Sequence, residues 1–238
     1  MRNPLAELLF VHGGGAESGR LDRLVGALRE RSISVWAVNA ASGRRRPAPD
    51  GPAAMQDLAG ALGALADRAR RGPPLILGGH SLGGTVAALA ACADTLPGAE
   101  RCAGMVLTST PVSPLPRVEG LADGAPVGLD LSRLYTPGSA AREDDRAGSV
   151  RPSTLRPAWD RLAERLPVLD LPVMFVHGMS DTIVPARHNH AWAGRLKHAE
   201  FAGFHGSRHD VLNATGHRRV ATTIADFVLA AALDHAAG

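Results

Sequence analysis

Pro74 to Thr85 read PLILGGHSLGGT, an apolar run that stops abruptly at glycines and a serine. Leu75, Ile76 and Leu77 have the character of a short buried strand, and Val86, Leu89 and Ala90 then recur at helical spacing. This predicts that Gly79-His80-Ser81-Leu82-Gly83 sits on a strand-to-helix turn. In a G-x-S-x-G elbow the serine takes a strained backbone conformation that lifts its hydroxyl above the sheet, and bulky side chains two residues to either side would strike neighbouring backbone. Gly79 and Gly83 meet that need. The helix that follows directs free N–H groups at the same spot, so an oxyanion forming beside Ser81 would meet positive partial charge and the Leu82 amide. Gly and Ser also cap ordinary helices, but the elbow requires strand, turn and helix together, and all three are present.

Upstream, Leu8 to Val11 reads as the first strand and runs into His12-Gly13-Gly14-Gly15, after which Leu21, Leu24, Val25 and Leu28 mark one face of a helix. Strand, glycine turn and helix again form an oxyanion-hole layout: with the first and third parallel strands side by side, the amides of Gly14 and Leu82 converge on one oxygen. Ile33 to Val38 is the second strand. A Gly-, Pro- and Arg-rich loop, 39–52, leads to a helix spaced by Met55, Leu58, Leu62, Leu65 and Ala69.

Downstream, Gly104 to Thr108 is the fourth strand, and from Pro111 to Leu171 prolines, glycines and charges dominate. So long a stretch inside a compact domain is usually functional when it is ordered. It is expected to be a small, partly helical cap, 111–171, inserted into a core formed by 1–110 and 172–238. Val173 to Val176 is the fifth strand and ends in His177-Gly178-Met179-Ser180-Asp181-Thr182-Ile183-Val184-Pro185. A helix with Trp192 and Leu196 leads to a sixth strand near Ala199 to Ala202, and a polar loop precedes a last helix that buries Val220, Ile224, Phe227 and Val228. Asp210-Val211-Leu212 reads as the beginning of that helix. Alternating strands and helices imply an α/β fold whose mostly parallel sheet of about six strands has helices on both faces.

A chain of 238 residues with 45% hydrophobic content buries a full core. Neither a signal peptide nor a run of eighteen apolar residues is visible, so a cytoplasmic protein without a membrane span is expected. The formal net charge is +3, Lys197 is the only lysine, and the Ala, Arg, Gly and Pro bias fits a GC-rich coding sequence better than nucleic-acid binding. Arg44 to Arg46 form the only basic run and have no interleaved aromatic residues to stack bases, which reads as a solvated loop. Cys92 and Cys102 are assigned no role beyond small core residues.

Ligands of open parallel sheets bind beyond the carboxyl ends of the strands, where Ser81, Asp181 and His209 all fall. A serine hydroxyl needs a base with a pKa near 7 and a carboxylate that fixes the imidazole tautomer, and the chain order Ser, Asp, His fits such a set. His205 and His217 are competing candidates for the base. His209 is preferred because it precedes Asp210-Val211-Leu212, whereas His205 follows the sixth strand directly. His188-x-His190, near His177 and Asp181, invites a metal reading, but positions two apart on a helix diverge. No metal or cofactor is expected.

On these residues the chain resembles the α/β-hydrolases, and within them the monoacylglycerol lipase and lysophospholipase branch. His12 to Arg20 is similar to that branch's oxyanion loop, Gly79 to Gly84 to its nucleophile elbow, Asp181 to Pro185 to its acid loop, and Arg208 to Asn213 to its histidine segment. The resemblance implies Ser81 as nucleophile, Asp181 as acid, His209 as base, and the Gly14 and Leu82 amides as oxyanion hole. Members commonly place an antiparallel strand pair before the glycine loop; seven leading residues do not supply it, so six strands are expected. The implied reaction is cofactor-free hydrolysis of a small-molecule carboxylic ester through an acyl-enzyme. The rival readings are a thioesterase acting on an acyl group borne by a carrier protein, a tailoring enzyme that uses the same centre for acyl transfer, cyclisation or elimination, and a binding protein that has lost turnover.

Overall fold

The computed structural model describes residues 4–12, 21–39, 72–93, 98–114 and 152–237. Strand β1, Ala6–His12, is buried along its whole length. Because side chains alternate across a strand, Ala6, Leu8 and Phe10 enter one layer of the core, while Leu9 and Val11 enter the other. Five further strands join it: β2, Ile33–Asn39; β3, Leu75–His80; β4, Cys102–Thr108; β5, Val173–Gly178; and β6, Ala199–Phe204. Together they form a six-stranded sheet in the order β2-β1-β3-β4-β5-β6, and every pairing is parallel.

Helix α1, Asp22–Glu30, and the C-terminal helix, His217–Ala237, cover one face: Leu24 and Leu28 of the first and Val220, Ile224 and Val228 of the second are buried against Leu8, Phe10 and Val106. The C-terminal helix is long and apolar enough to cross a membrane by length and composition. Its apolar stripe, however, is part of the core, as expected of an amphipathic helix on a sheet. Helix α2, Leu82–Ala91, lies on the other face, with Gly83 to Ala90 all buried. It is accompanied by α3, Pro152–Arg165, and α4, Ala186–Ala193, through Leu162 and Trp192. The C-terminal helix is α5 in chain order.

Helix α3 belongs to the stretch expected to form the cap, yet its inner side is core. Trp159 donates its indole N–H to the Pro111 carbonyl at 3.1 Å, which also accepts the Thr85 hydroxyl at 2.8 Å. The rest of the proposed cap, 115–151, lies outside the described residues, as do Arg44 to Arg46 and the helix expected over Met55 to Ala69.

Several strands run further at their carboxyl ends than their apolar residues indicate. β3 continues through Gly78, Gly79 and His80, β1 through His12, and β5 through His177 and Gly178. These added residues all lie at carboxyl ends. β1 pairs with β2 on one side and β3 on the other, so the chain order reverses beside β1. An open parallel sheet leaves its crevice at such a point. At the opposite end, Arg101 pairs with Glu7 at 2.7 Å in a mostly buried setting and donates to the Pro73 carbonyl at 2.8 Å. That contact ties the start of β4 to the starts of β1 and β3.

Candidate active site

Ser81 follows β3 directly and has φ 55 and ψ −128, a region that a residue with a Cβ occupies only when its surroundings impose it. The surroundings are specific. The Ser81 N–H donates to the Thr108 carbonyl at 2.9 Å, and the Ser81 carbonyl accepts the Gly84 N–H at 3.0 Å, so the turn is held on both sides. A Cβ at Gly79 would stand 2.5 Å from the Gly83 carbonyl and the Gly84 nitrogen. The start of α2 therefore packs against backbone that only glycine leaves clear. Leu82 is the first residue of α2, so its N–H belongs to the first turn, where helical amides lack intrahelical acceptors.

Asp181 sits in the loop after β5 and is buried. Its Oδ1 accepts the N–H groups of Ile183 at 2.8 Å and Val184 at 3.1 Å, and its Oδ2 accepts Nδ1–H of His209 at 2.8 Å. His177 Nε2 lies 3.2 Å from the same Oδ2. Burial by itself would push this carboxyl up, but the hydrogen bonds from His177 and His209, the charge of His209 and the Ile183 amide outweigh it and hold the group well below the usual carboxylate range.

A carboxylate only accepts, so the His209 proton on this bond is on Nδ1, and in the neutral ring Nε2 carries the lone pair. That Nε2 is buried and has no hydrogen-bond partner among the described residues. The two loops carrying the pair are stitched together: Met179 N–H donates to the Phe204 carbonyl at 3.0 Å and Ser180 N–H to the Ser207 carbonyl at 2.9 Å. Gly178 permits this approach, since any Cβ there would run into the carbonyls of Ser207 and Arg208.

His80, the residue before Ser81, connects this pair to the elbow. Its ring centroid is 5.0 Å from that of His209, with the His12 ring 5.8 Å away on the end of β1. The Thr108 hydroxyl donates to the Gly79 carbonyl at 3.2 Å and accepts Nδ1–H of His80 at 3.1 Å. Burial, then the charges of His209 and His12, hold the His80 imidazole well below its ordinary range. It stays neutral beside His209 and does not compete with it for protons.

Of the residues singled out from sequence, Asp181 and His209 are brought into contact; Ser81 lies at the carboxyl end of β3, separated from β5 by β4, and makes no hydrogen bond to His209 Nε2. Gly14 lies outside the described residues. His205 is exposed, and His217 begins α5 with Nδ1 3.2 Å from the Ala214 carbonyl. Asp210 to Leu212 do not begin a helix: Val211 and Leu212 plug into the core, and α5 starts only at His217. Apolar side chains that precede a helix can fill the core without joining its first turn. His190 is exposed and meets Phe201 edge-on. His188 Nε2 is 3.4 Å from the Ser113 hydroxyl. Among the described residues, no three His, Cys, Asp or Glu side chains are grouped to hold a metal ion. Burial pushes both cysteine thiols up to about 11, which leaves them protonated and unreactive.

The local sequence gives no sign of a role in the site for His80, Thr108 or Asn189, and presents His177 only as a candidate metal ligand. The available signal was position: His12, His80 and His177 each occupy the last or next-to-last residue of a strand.

A sequence-family model described as "Serine aminopeptidase, S33" matches residues 2–147, more than half of the chain. No curated protein matches it significantly. Among solved structures, a soluble variant of monoglyceride lipase from Saccharomyces cerevisiae is 17% identical, with a TM-score of 0.78 over 98% of this chain and 88% of that one. A monoacylglycerol lipase from Paleococcus ferrophilus is 20% identical, with a TM-score of 0.69 over 96% of both chains. The esterase domain of a Rhodothermus marinus protein is 16% identical, with a TM-score of 0.69 over 96% and 88%. At these identities the likeness is one of fold, and it agrees with the six parallel strands and the helices on both faces. The match over residues 2–147 and the architecture together make the chain a member of the serine aminopeptidase S33 family of α/β-hydrolases.

Proposed function

We propose that the protein is a serine hydrolase that cleaves a small-molecule carboxylic ester through an acyl-enzyme. The observation that carries this reading is the buried His209–Asp181 hydrogen bond of 2.8 Å, which leaves a bare Nε2 on a ring beside the serine elbow. In the reaction, Ser81 Oγ attacks the acyl carbon while His209 Nε2 takes its proton. The resulting imidazolium is stabilised by Asp181, and the Leu82 amide, with Gly14 as the expected second donor, holds the oxyanion. His209 then returns the proton to the departing alkoxide. In the second half, water gives its proton to Nε2 and its hydroxide to the acyl carbon; Ser81 leaves as the acid is released, recovering the proton from His209. Lipases and esterases among the structural neighbours support an ester substrate.

The family description favours a second reading, hydrolysis of the amide bond behind a peptide's N-terminal residue. The same groups would serve, with His209 protonating the amine. Covalent labelling by a fluorophosphonate probe, followed by intact mass, tests the shared chemistry: the wild type gains one adduct, and Ser81→Ala and His209→Ala gain none. An unlabelled wild type would sink both readings. Turnover of a panel of glycerol esters, simple aryl esters, acyl thioesters and aminoacyl anilides, with and without an acceptor alcohol, then separates ester hydrolase, thioesterase, aminopeptidase and acyl transferase.

A further inference from the structure

Behind Asp181 lies a second buried histidine that the proposed reaction does not use. His177, the fifth residue of β5, is completely buried. Its Nε2 lies 2.7 Å from the Val184 carbonyl and 3.2 Å from Asp181 Oδ2, and its Nδ1 lies 3.1 Å from Asn189 Nδ2 on α4. With the Asn189 amide nitrogen turned towards the ring, the donor pattern is that of a neutral His177. A carbonyl and a carboxylate oxygen only accept, so the His177 proton is on Nε2, donated chiefly to the Val184 carbonyl with Asp181 Oδ2 as the longer, second acceptor. Nδ1 is then a lone pair that accepts an amide proton of Asn189. Asn189 is also fully buried, and its Oδ1 has no hydrogen-bond partner among the described residues. The amide faces the ring with its nitrogen, although its oxygen is left without such a partner.

We propose that His177, with its tautomer set by Asn189, is a positioning residue for Asp181. Its Nε2–H holds the same carboxylate oxygen that receives His209, and so sets how strongly Asp181 binds the His209 proton. The inference rests on the Ser81–His209–Asp181 reading. A carboxylate oxygen that already accepts one hydrogen bond is a weaker partner for a second donor. With His177 in place, Asp181 stays ionised and orients His209 without over-stabilising its cation. The other ionisable groups facing this network are His80 on β3, next to His209, with His12 behind it, and His188 on α4, near enough to His177 to be electrostatically coupled to it.

The test is the pH dependence of kcat/KM for an aryl ester and of the rate of fluorophosphonate labelling. The wild type is compared with His177→Leu, His177→Gln and Asn189→Asp. Leu removes the donor, so both rates should fall about tenfold or more at neutral pH and their acid limbs should move to higher pH. Gln carries an amide N–H where Nε2 stood and should recover most of the loss and the original limb. Asp at 189 offers only acceptors, so Nδ1 takes up a proton, His177 becomes an imidazolium, and the limbs should move to lower pH. Acid limbs that coincide in the wild type and in Asn189→Asp, or equal defects in Leu and Gln, would overturn the proposal. Should His177→Leu not fold, Asn189→Asp carries the test by itself. A wild type that does not label overturns the underlying hydrolase reading instead, so the two failures are distinct.

Discussion

His188 and His80 are imidazoles kept uncharged by their surroundings, and this makes stability depend on pH with a definite sign. Burial, above all, lowers His188 to about 4, and His80 also lies well below its ordinary value. Below pH ~6.5 the unfolded chain takes up protons at both positions that the folded protein refuses. Each group therefore subtracts up to ~1.4 kcal/mol of stability per pH unit on acidification, for His188 until about pH 4 is reached. Asp181, held down in the folded state, acts in the same direction but only once the pH drops below ~3.9, where the unfolded carboxyl protonates. Urea midpoints at pH 7, 5.5 and 4.5 should fall steadily, and His188→Gln should flatten part of that slope. An unchanged slope in the variant would show that His188 does not carry this linkage.

The loops after β5 and β6 work as one unit because Gly178 lets them touch. Replacing it with Ala drives a methyl group into the carbonyls of Ser207 and Arg208, two residues that precede His209. The strands themselves need not move. Gly178→Ala should displace His209 from Asp181 and lower kcat/KM by ~100-fold or more, since misplacement by an ångström is enough for such a loss. Its melting temperature should drop by only a few degrees. A variant with normal turnover would show that the loop accommodates the methyl group without moving the histidine. The same comparison separates the element from its residues, because His209 and Asp181 remain chemically intact in this protein.

The two ends of the sheet have different tasks. At the amino ends the Glu7–Arg101 pair, with both side chains about one-tenth exposed, holds three strands together far from the reaction centre. Removing one member of such a pair strands the other charge in a poorly solvated place, at a cost of ~3–5 kcal/mol, whereas replacing both with apolar residues is often neutral. Glu7→Leu should therefore lower the denaturant midpoint markedly, and the double variant Glu7→Leu/Arg101→Met should recover much of it. In both, fluorophosphonate labelling of the folded fraction should match the wild type. If labelling slows, the amino end is coupled to the site after all.

What was legible in the sequence was whatever depends on chain-local pattern. Apolar residues marked all six strands, and for the four inner ones the reason is burial on both faces, which demands runs such as Leu8 to Val11 and Val173 to Val176. The Gly79-x-Ser81-x-Gly83 spacing predicted a strained backbone at Ser81, seen as its positive φ, because steric exclusion acts over a few residues. Other features needed the tertiary structure. The strands extend into polar residues because ladder hydrogen bonding does not require apolar side chains, and Val211 and Leu212 fill the core without forming the helix their pattern implied. His177, Asn189 and His80 acquire their roles from groups on other elements, through a carboxylate, an amide and a second imidazole that only folding places beside them. Residue type and local spacing are written along the chain; which lone pair faces which proton is decided only when the strands align and their ends converge.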